Sequence, residues 1–157
     1  LENSRVIILK MHLSTLSKEE KTRIIRGELD EFMFSLKPKM CENFNASLQR
    51  SLIESLLDGT VFQIVDSLKD LQQLAEKQLY DERQKHLAEL QMAPDLDEQM
   101  KRIDMNIVNE LDKIMAQQQN TLARAGVPGF RITSNPLEIN LQMEMIRFIM
   151  TLHSKYS

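Results

Sequence analysis

The chain has 157 residues, 42 % hydrophobic, 27 % charged and 5 % aromatic, with 4 Gly, 4 Pro, no Trp and a net charge of −3. One compact domain is the prior for this length, and few breakers with many Leu, Glu, Gln and Lys favour long helices over sheets. The charge argues against a nucleic-acid binder driven by a global positive field, the single Cys41 excludes an internal disulfide and fits a reducing compartment, and no run of 18 apolar residues offers a membrane span.

Residues 4–16, SRVIILKMHLSTL, place Val6, Leu9, Leu13 and Leu16 on one helical face, although VIIL alone also fits a short strand. The stretch is too short and interrupted for a signal peptide's apolar region. Ser17-Lys18-Glu19-Glu20 reads as a capping box. It opens a helix carrying Ile24, Ile25, Leu29, Phe32, Met33 and Leu36, which Pro38 ends. Together residues 1–37 are read as N-terminal helices. A short helix over 39–57 follows, with Asn45 at its loosest point.

In LLDGTVFQIVDSL, residues 56–68, Gly59 sits where a helix end needs positive φ. Thr60 fits an N-cap, with Gln63 three residues on completing a second capping box. The knot therefore reads as a stop joined to a start, with a ligand loop as the lesser reading. A long helix over 60–91 carries Val61, Ile64, Val65, Leu68, Leu71, Leu74, Ala75 and Leu79, a stripe that thins toward the charged DERQKHLAEL. Such thinning marks an arm leaving the core. Met92-Ala93-Pro94-Asp95 breaks the chain, with Pro94 a candidate to open the return helix.

The return helix, 95–125, places Met100, Ile103, Ile107, Leu111, Ile114, Gln118, Leu122 and Ala125 at spacings of three and four. The eleven-residue period implies a nearly straight or slightly right-handed antiparallel, coiled-coil-like pair rather than a strict heptad coil. Gln118 on that seam either fixes register through a hydrogen bond or is solvated. Gly126 and Gly129 terminate the helix, and FRITSNP reads as a half-buried strand or strap with Phe130 and Ile132 on one side. Asn135 as N-cap and Pro136 at the first helical position start the last helix, within a strap-plus-helix unit over 129–157. That helix is apolar on two faces. Leu137, Leu141, Met145, Phe148, Ile149 and Leu152 form one; Ile139, Met143, Ile146 and Met150 form the other. A small domain seldom buries both faces of a terminal helix, so either this is the central core helix or its second face meets another chain.

No chemical signature accompanies this architecture. His12, His86, His153 and Cys41 are isolated, without H-x-x-x-H or C-x-x-C spacing. Cys41 lacks the context of a nucleophile, and GVPG lacks a phosphate loop's lysine and strand–helix setting. Lys10, Lys18, Lys21, Arg23, Arg26, Lys37 and Lys39 are interleaved with Glu19, Glu20 and Glu28. They read as a solvated face more readily than a nucleic-acid surface. The expectation is an all-α helical bundle, with two long antiparallel helices and an apolar C-terminal helix. A non-enzymatic scaffold or adaptor is expected, without cofactor, metal or small-molecule substrate, in a reducing compartment. Its partners are proteins, in a homo-oligomer or a hetero-complex. The expected interface residues are Ile139, Met143, Ile146 and Met150 with Ile103, Ile107 and Ile114. Gly59, Thr60, Gly126, Gly129, Asn135 and Pro136 are expected to serve as turns and caps. Obligate hetero-complex membership, or nucleic-acid contact through the basic N-terminal face, are the alternatives.

Three stretches carry a resemblance. LLDGTVFQIVDSL, NELDKIMAQQQNTLARAGVPGF and ITSNPLEINLQM are similar to the DiGeorge syndrome critical region protein six family, which includes the insect gonadal protein. An insect member is the best match. The resemblance covers residues 28–157, and residues 80–103 look shorter than in relatives. It implies a small, helical, intracellular interaction protein, often nuclear, with no enzymatic residues to transfer. The positions that match the motifs, among them Asp58, Gly59 and Thr60, are mostly helix punctuation.

Overall fold

The computed structural model describes residues 12–156. It contains a 3-10 turn, Leu13–Thr15, and six helices: α1 Lys18–Met33, α2 Pro38–Asn43, α3 Ala46–Leu56, α4 Thr60–Leu90, α5 Leu96–Arg124 and α6 Pro136–Tyr156. No strand occurs among the described residues, and the chain is all-α. The helix expected over 4–16 lies largely outside the described residues, and the part within them is the 3-10 turn.

α1 opens on the capping box, with Ser17 Oγ accepting the Glu20 N–H at 3.2 Å and the Glu20 carboxylate accepting the Ser17 N–H at 3.3 Å. Ile25 and Leu29, one turn apart, are fully buried. The stop comes before Pro38: α1 ends at Met33, and Pro38 instead opens α2, where its missing N–H costs nothing. The single helix expected over 39–57 is two helices. Asn45 breaks it by accepting the Leu48 N–H at 2.9 Å, which makes it the N-cap of α3 rather than a loose interior position. Leu52, Ile53 and Leu56 of α3 are buried. Burying each such side chain contributes about 1.5–3 kcal/mol.

α4 and α5 form the long hairpin. Gln118 donates to Gln72 at 2.8 Å and Arg83 donates to Asp104 at 2.7 Å, so numbers rise along one helix as they fall along the other. Leu71 and Leu74, expected in the stripe of α4, are exposed. The half-buried positions are Leu68, Gln72, Ala75 and Leu79, because one partner helix covers only one narrow line of α4. Pro94 does not open α5; Asp95 stands at its N-cap, and Asp97 and Glu98 occupy its first turn.

α6 runs against α4. Its late residue His153 stacks on Phe62 at 5.4 Å and lies 2.9 Å from the Asp66 carboxylate, while Ile139 and Met143 share a groove with Gln72 and Glu76. α6 therefore runs in the same direction as α5, and the chain between them must travel back along both. Residues 125–135 do this as a strap, with turns at 125–126 and 128–129 followed by backbone that is neither helix nor strand from 130 to 135. α1 closes the other side of α6 through Phe32 on Phe148, with ring centroids 5.2 Å apart, and through Glu28, which receives Lys155 and the Tyr156 hydroxyl. The core forms where α1, α3, α6, the start of α4 and the end of α5 meet.

Candidate functional site

Two glycines with positive φ end the elements that frame the site. α5 stops in a Schellman motif: Val127 N–H donates to Leu122 O and Gly126 N–H to Ala123 O, both at 3.1 Å, with Gly126 at φ 85°. Val127 and Leu122 are both buried, the apolar contact that goes with this motif. Gly129 at φ 79° lies so close to the core that an added Cβ would sit 3.4 Å from Met145 Sδ and 3.5 Å from Leu48.

The strap then behaves as a strand whose partner is made of side chains. Gln142 Nε2 donates to Gly129 O and Arg131 O, each at 3.2 Å. Gln119 Nε2 donates to Thr133 O at 3.2 Å, and Thr133 N–H returns a bond to Gln119 Oε1 at 3.2 Å. The two amides also meet, Gln119 Nε2 donating to Gln142 Oε1 at 2.9 Å. Both glutamines are buried, and every donor on both amides is used. Bonds to residues 129, 131 and 133 follow the two-residue period of a strand. Phe130 is buried, but Ile132 is exposed rather than sharing its side. Asn135 caps α6 by accepting the Leu137 N–H at 2.9 Å, with Pro136 at the first position. Arg131 pairs with Glu138 across the same corner, and this hydrogen bond, then one from Thr133, holds the Glu138 carboxyl below its ordinary range.

Above this strap α4, α5 and α6 leave a groove of about 360 Å³. Leu111, Ile114 and Met115 of α5 form one wall, Ile139, Met143 and Ile146 of α6 the other, with Gln72 and Glu76 of α4 at its foot. The second face of α6 is thus uncovered along part of its length, and Met143 is 62 % exposed. Of the residues expected at an interface, Ile139, Met143, Ile146 and Ile114 come together here. Met150 lines a separate small cavity with Val65 and Leu122. Ile103 and Ile107 lie farther out, beside Leu79 and Arg83 in the hairpin seam. Sequence reasoning missed Leu111 and Met115 as groove residues, since helical periodicity assigns Leu111 to the seam and marks nothing special at Met115.

The corner at residues 56–60 lines a larger cavity of about 450 Å³, with Lys21, His153 and Tyr156. Several of its polar groups are engaged within the chain. Lys21 Nζ donates to Leu57 O at 3.1 Å, and Asp58 Oδ1 accepts both the Thr60 N–H at 3.0 Å and the Thr60 hydroxyl at 2.9 Å. The Thr60 backbone bond, then the hydroxyl, pulls the Asp58 carboxyl below its ordinary value. Tyr156 donates to Glu28, and burial followed by that carboxylate pushes its phenol up to about 12. Thr60 is consequently not the N-cap. α4 begins at Thr60, Gly59 precedes it at φ 82°, and the capping oxygen belongs to Asp58. Two residues of the basic N-terminal face are bonded within the chain: Lys21 to Leu57 O, and Arg26 to Asp30 and Gln49. Among the described residues no three His, Cys, Asp or Glu gather as metal ligands, and no helix is long and apolar enough to cross a membrane.

The sequence matches the model of the DiGeorge syndrome critical region 6 (DGCR6) protein family over residues 10–97 and 85–157. Protein DGCR6 of Gallus gallus is 31 % identical over 175 aligned positions, covering 89 % of this chain and 88 % of the chicken protein. Gonadal protein gdl of Drosophila melanogaster is 28 % identical over 156 positions, covering 85 % of this chain and 80 % of the fly protein. No solved structure matches. The two matched stretches overlap at residues 85–97, the far end of the hairpin, and the chicken alignment is longer than the chain itself. With both stretches together spanning nearly the whole sequence, the chain belongs to the DiGeorge syndrome critical region 6 protein family.

Proposed function

We propose that this protein is a non-enzymatic helical adaptor that self-associates and receives a helix of a protein partner in the groove between α5 and α6. One observation carries the reading. Six apolar side chains from two parallel helices face each other across a trough that nothing among the described residues covers. An amphipathic helix laid there would complete a four-helix arrangement, burying the open wall at roughly 25 cal/mol per Å² of apolar surface removed from water. The bonded strap beneath supports the reading, since it holds the two walls at fixed separation before any partner arrives. The methionines suit such a surface because their flexible side chains adapt to different contacts.

A photo-crosslinking residue at position 143 tests the groove. Protein adducts should form from position 143 and be absent from Thr22, an exposed position on α1 away from the groove. Equal adducts from both positions, or none, would overturn the groove reading. Light scattering on the purified chain at tens of micromolar tests self-association, which a strictly monomeric, well-folded species would refute.

A further inference from the structure

The outer face of α5, away from α4, carries a second uncovered line of residues. Lys101, Met105, Val108 and Asp112 are spaced four, three and four apart, which stacks them on one side of the helix. All four are exposed, Met105 at 62 % and Val108 at 50 %. They lie opposite the seam, where Ile103 and Ile107 meet Leu79. Neither Lys101 nor Asp112 has an ion-pair partner among the described residues, whereas their neighbours Asp104 and Lys113 pair with Arg83 and Glu110.

The pattern is its own complement when reversed. If a second α5 lies against the first in the opposite direction, with a two-fold axis between residues 106 and 107, Lys101 meets Asp112 of the other copy. Met105 then meets Val108, and each pair occurs twice. The flanking positions bring Asp104 to Asn109, Glu98 to Met115 and Asp97 to Ala116, so no like charges face each other. Shifting the register moves the lysine off the aspartate and the methionine off the valine. A two-fold contact must be self-complementary in this way.

We infer that a second copy of this chain docks antiparallel on the Lys101–Met105–Val108–Asp112 face of α5. This deepens the self-association in the proposed function and rests on it. It leaves the α6 wall of each groove (Ile139, Met143 and Ile146) free, with Met115 alone of the lining at the edge of the contact, so the dimer would present two grooves. A contact centred on four positions is at the small end of stable interfaces, and its ion pairs are exposed and therefore sensitive to salt.

Charge exchange on the full chain tests the register, read by sedimentation equilibrium. Lys101→Glu should weaken dimerisation about tenfold, because two attractive contacts per dimer become repulsive. Asp112→Lys should do the same, and Lys101→Glu with Asp112→Lys in one chain should restore wild-type affinity. Lys77→Glu, an equal charge change on the exposed surface of α4, should leave affinity within about twofold. Circular dichroism verifies that each variant stays helical. A dimer equally weakened by Lys77→Glu, unaffected by the single changes, or not restored by the double change overturns this interface while self-association stands. A wild-type chain that is monomeric overturns both.

Discussion

Asp58 accepts two hydrogen bonds from the single residue Thr60, and the start of α4 depends on them. Asp58→Ala should cost about 1 kcal/mol of stability, the usual value of a lost helix cap. Thr60→Ala keeps its backbone N–H on Asp58 and should cost only a few tenths of a kcal/mol. Urea unfolding of both variants compares them; a larger loss for Thr60→Ala would return the cap to the threonine. The sign with pH follows from the lowered Asp58 carboxyl. Its stabilisation is present above the unfolded value of 3.8 and fades as pH falls through the lower folded value. Asp58→Asn should flatten that acid limb. The glycine was legible in the sequence because only glycine tolerates φ 82° without strain. The cap was not, because Asp58 and Thr60 both have capping side chains and lie two positions apart. A helix beginning one residue earlier or later would satisfy local chemistry equally well.

At the scale of elements, helical periodicity placed Gln118 on the seam of α5, and the structure gives it a bond to Gln72 there. The more consequential residue is its neighbour. Gln119 points away from α4 and is buried only because the strap and α6 come back over it. Gln119→Leu would strand the Gln142 oxygen and the Thr133 backbone groups in the interior. We expect a loss of about 2–3 kcal/mol, the cost of buried polar groups left unpaired. Gln118→Leu, on a half-exposed seam, should change stability by less than about 1 kcal/mol. Chemical denaturation of the two variants measures the contrast, and equal effects would refute the strap network. The alternation at Phe130–Thr133 suggested a half-buried strand or strap, and the structure buries Phe130 there but forms no strand and leaves Ile132 exposed. The alternation could not reveal that the pairing edge consists of two glutamine side chains, since these sit 14 and 11 residues away from the backbone groups they bind.

For the whole molecule, the hairpin beyond the start of α6 packs against itself among the described residues, and core and arm should respond differently to change. Ile149, fully buried, should cost about 2–5 kcal/mol when replaced by alanine. Replacing residues 84–103 with a short loop, which closes the hairpin on the Arg83–Asp104 pair, should leave the melting temperature of the remainder within a few degrees. Collapse of the shortened chain would show that the arm supports the core. The two stretches of the family match overlap in this same arm, at residues 85–97. At the other end, Tyr156 and Lys155 fasten the C-terminus to Glu28. A phenol raised to about 12 stabilises the fold fully below the free value of 10.0 and loses that contribution as pH rises through the folded value. Alkaline difference spectroscopy should show one of the two tyrosines ionising late, and Tyr156→Phe should abolish the late phase.

The sequence by itself determined that the chain is helical, where most of its helices begin and end, and which face of α6 enters the core. These follow from short-range rules: caps, prolines, glycines at positive φ and apolar spacing act within a few residues. Family membership was equally legible, carried by three short motifs around those same turns. Only the tertiary structure decided that 39–57 is two helices, that Leu71 and Leu74 face outward, and that Ile103 and Ile107 belong to the hairpin rather than the groove. The direction of α6 relative to α5 was decided there too, and it creates the groove. The physical reason is that burial depends on what returns to cover a face from far along the chain, and a local pattern marks a face as apolar without saying which neighbour will cover it.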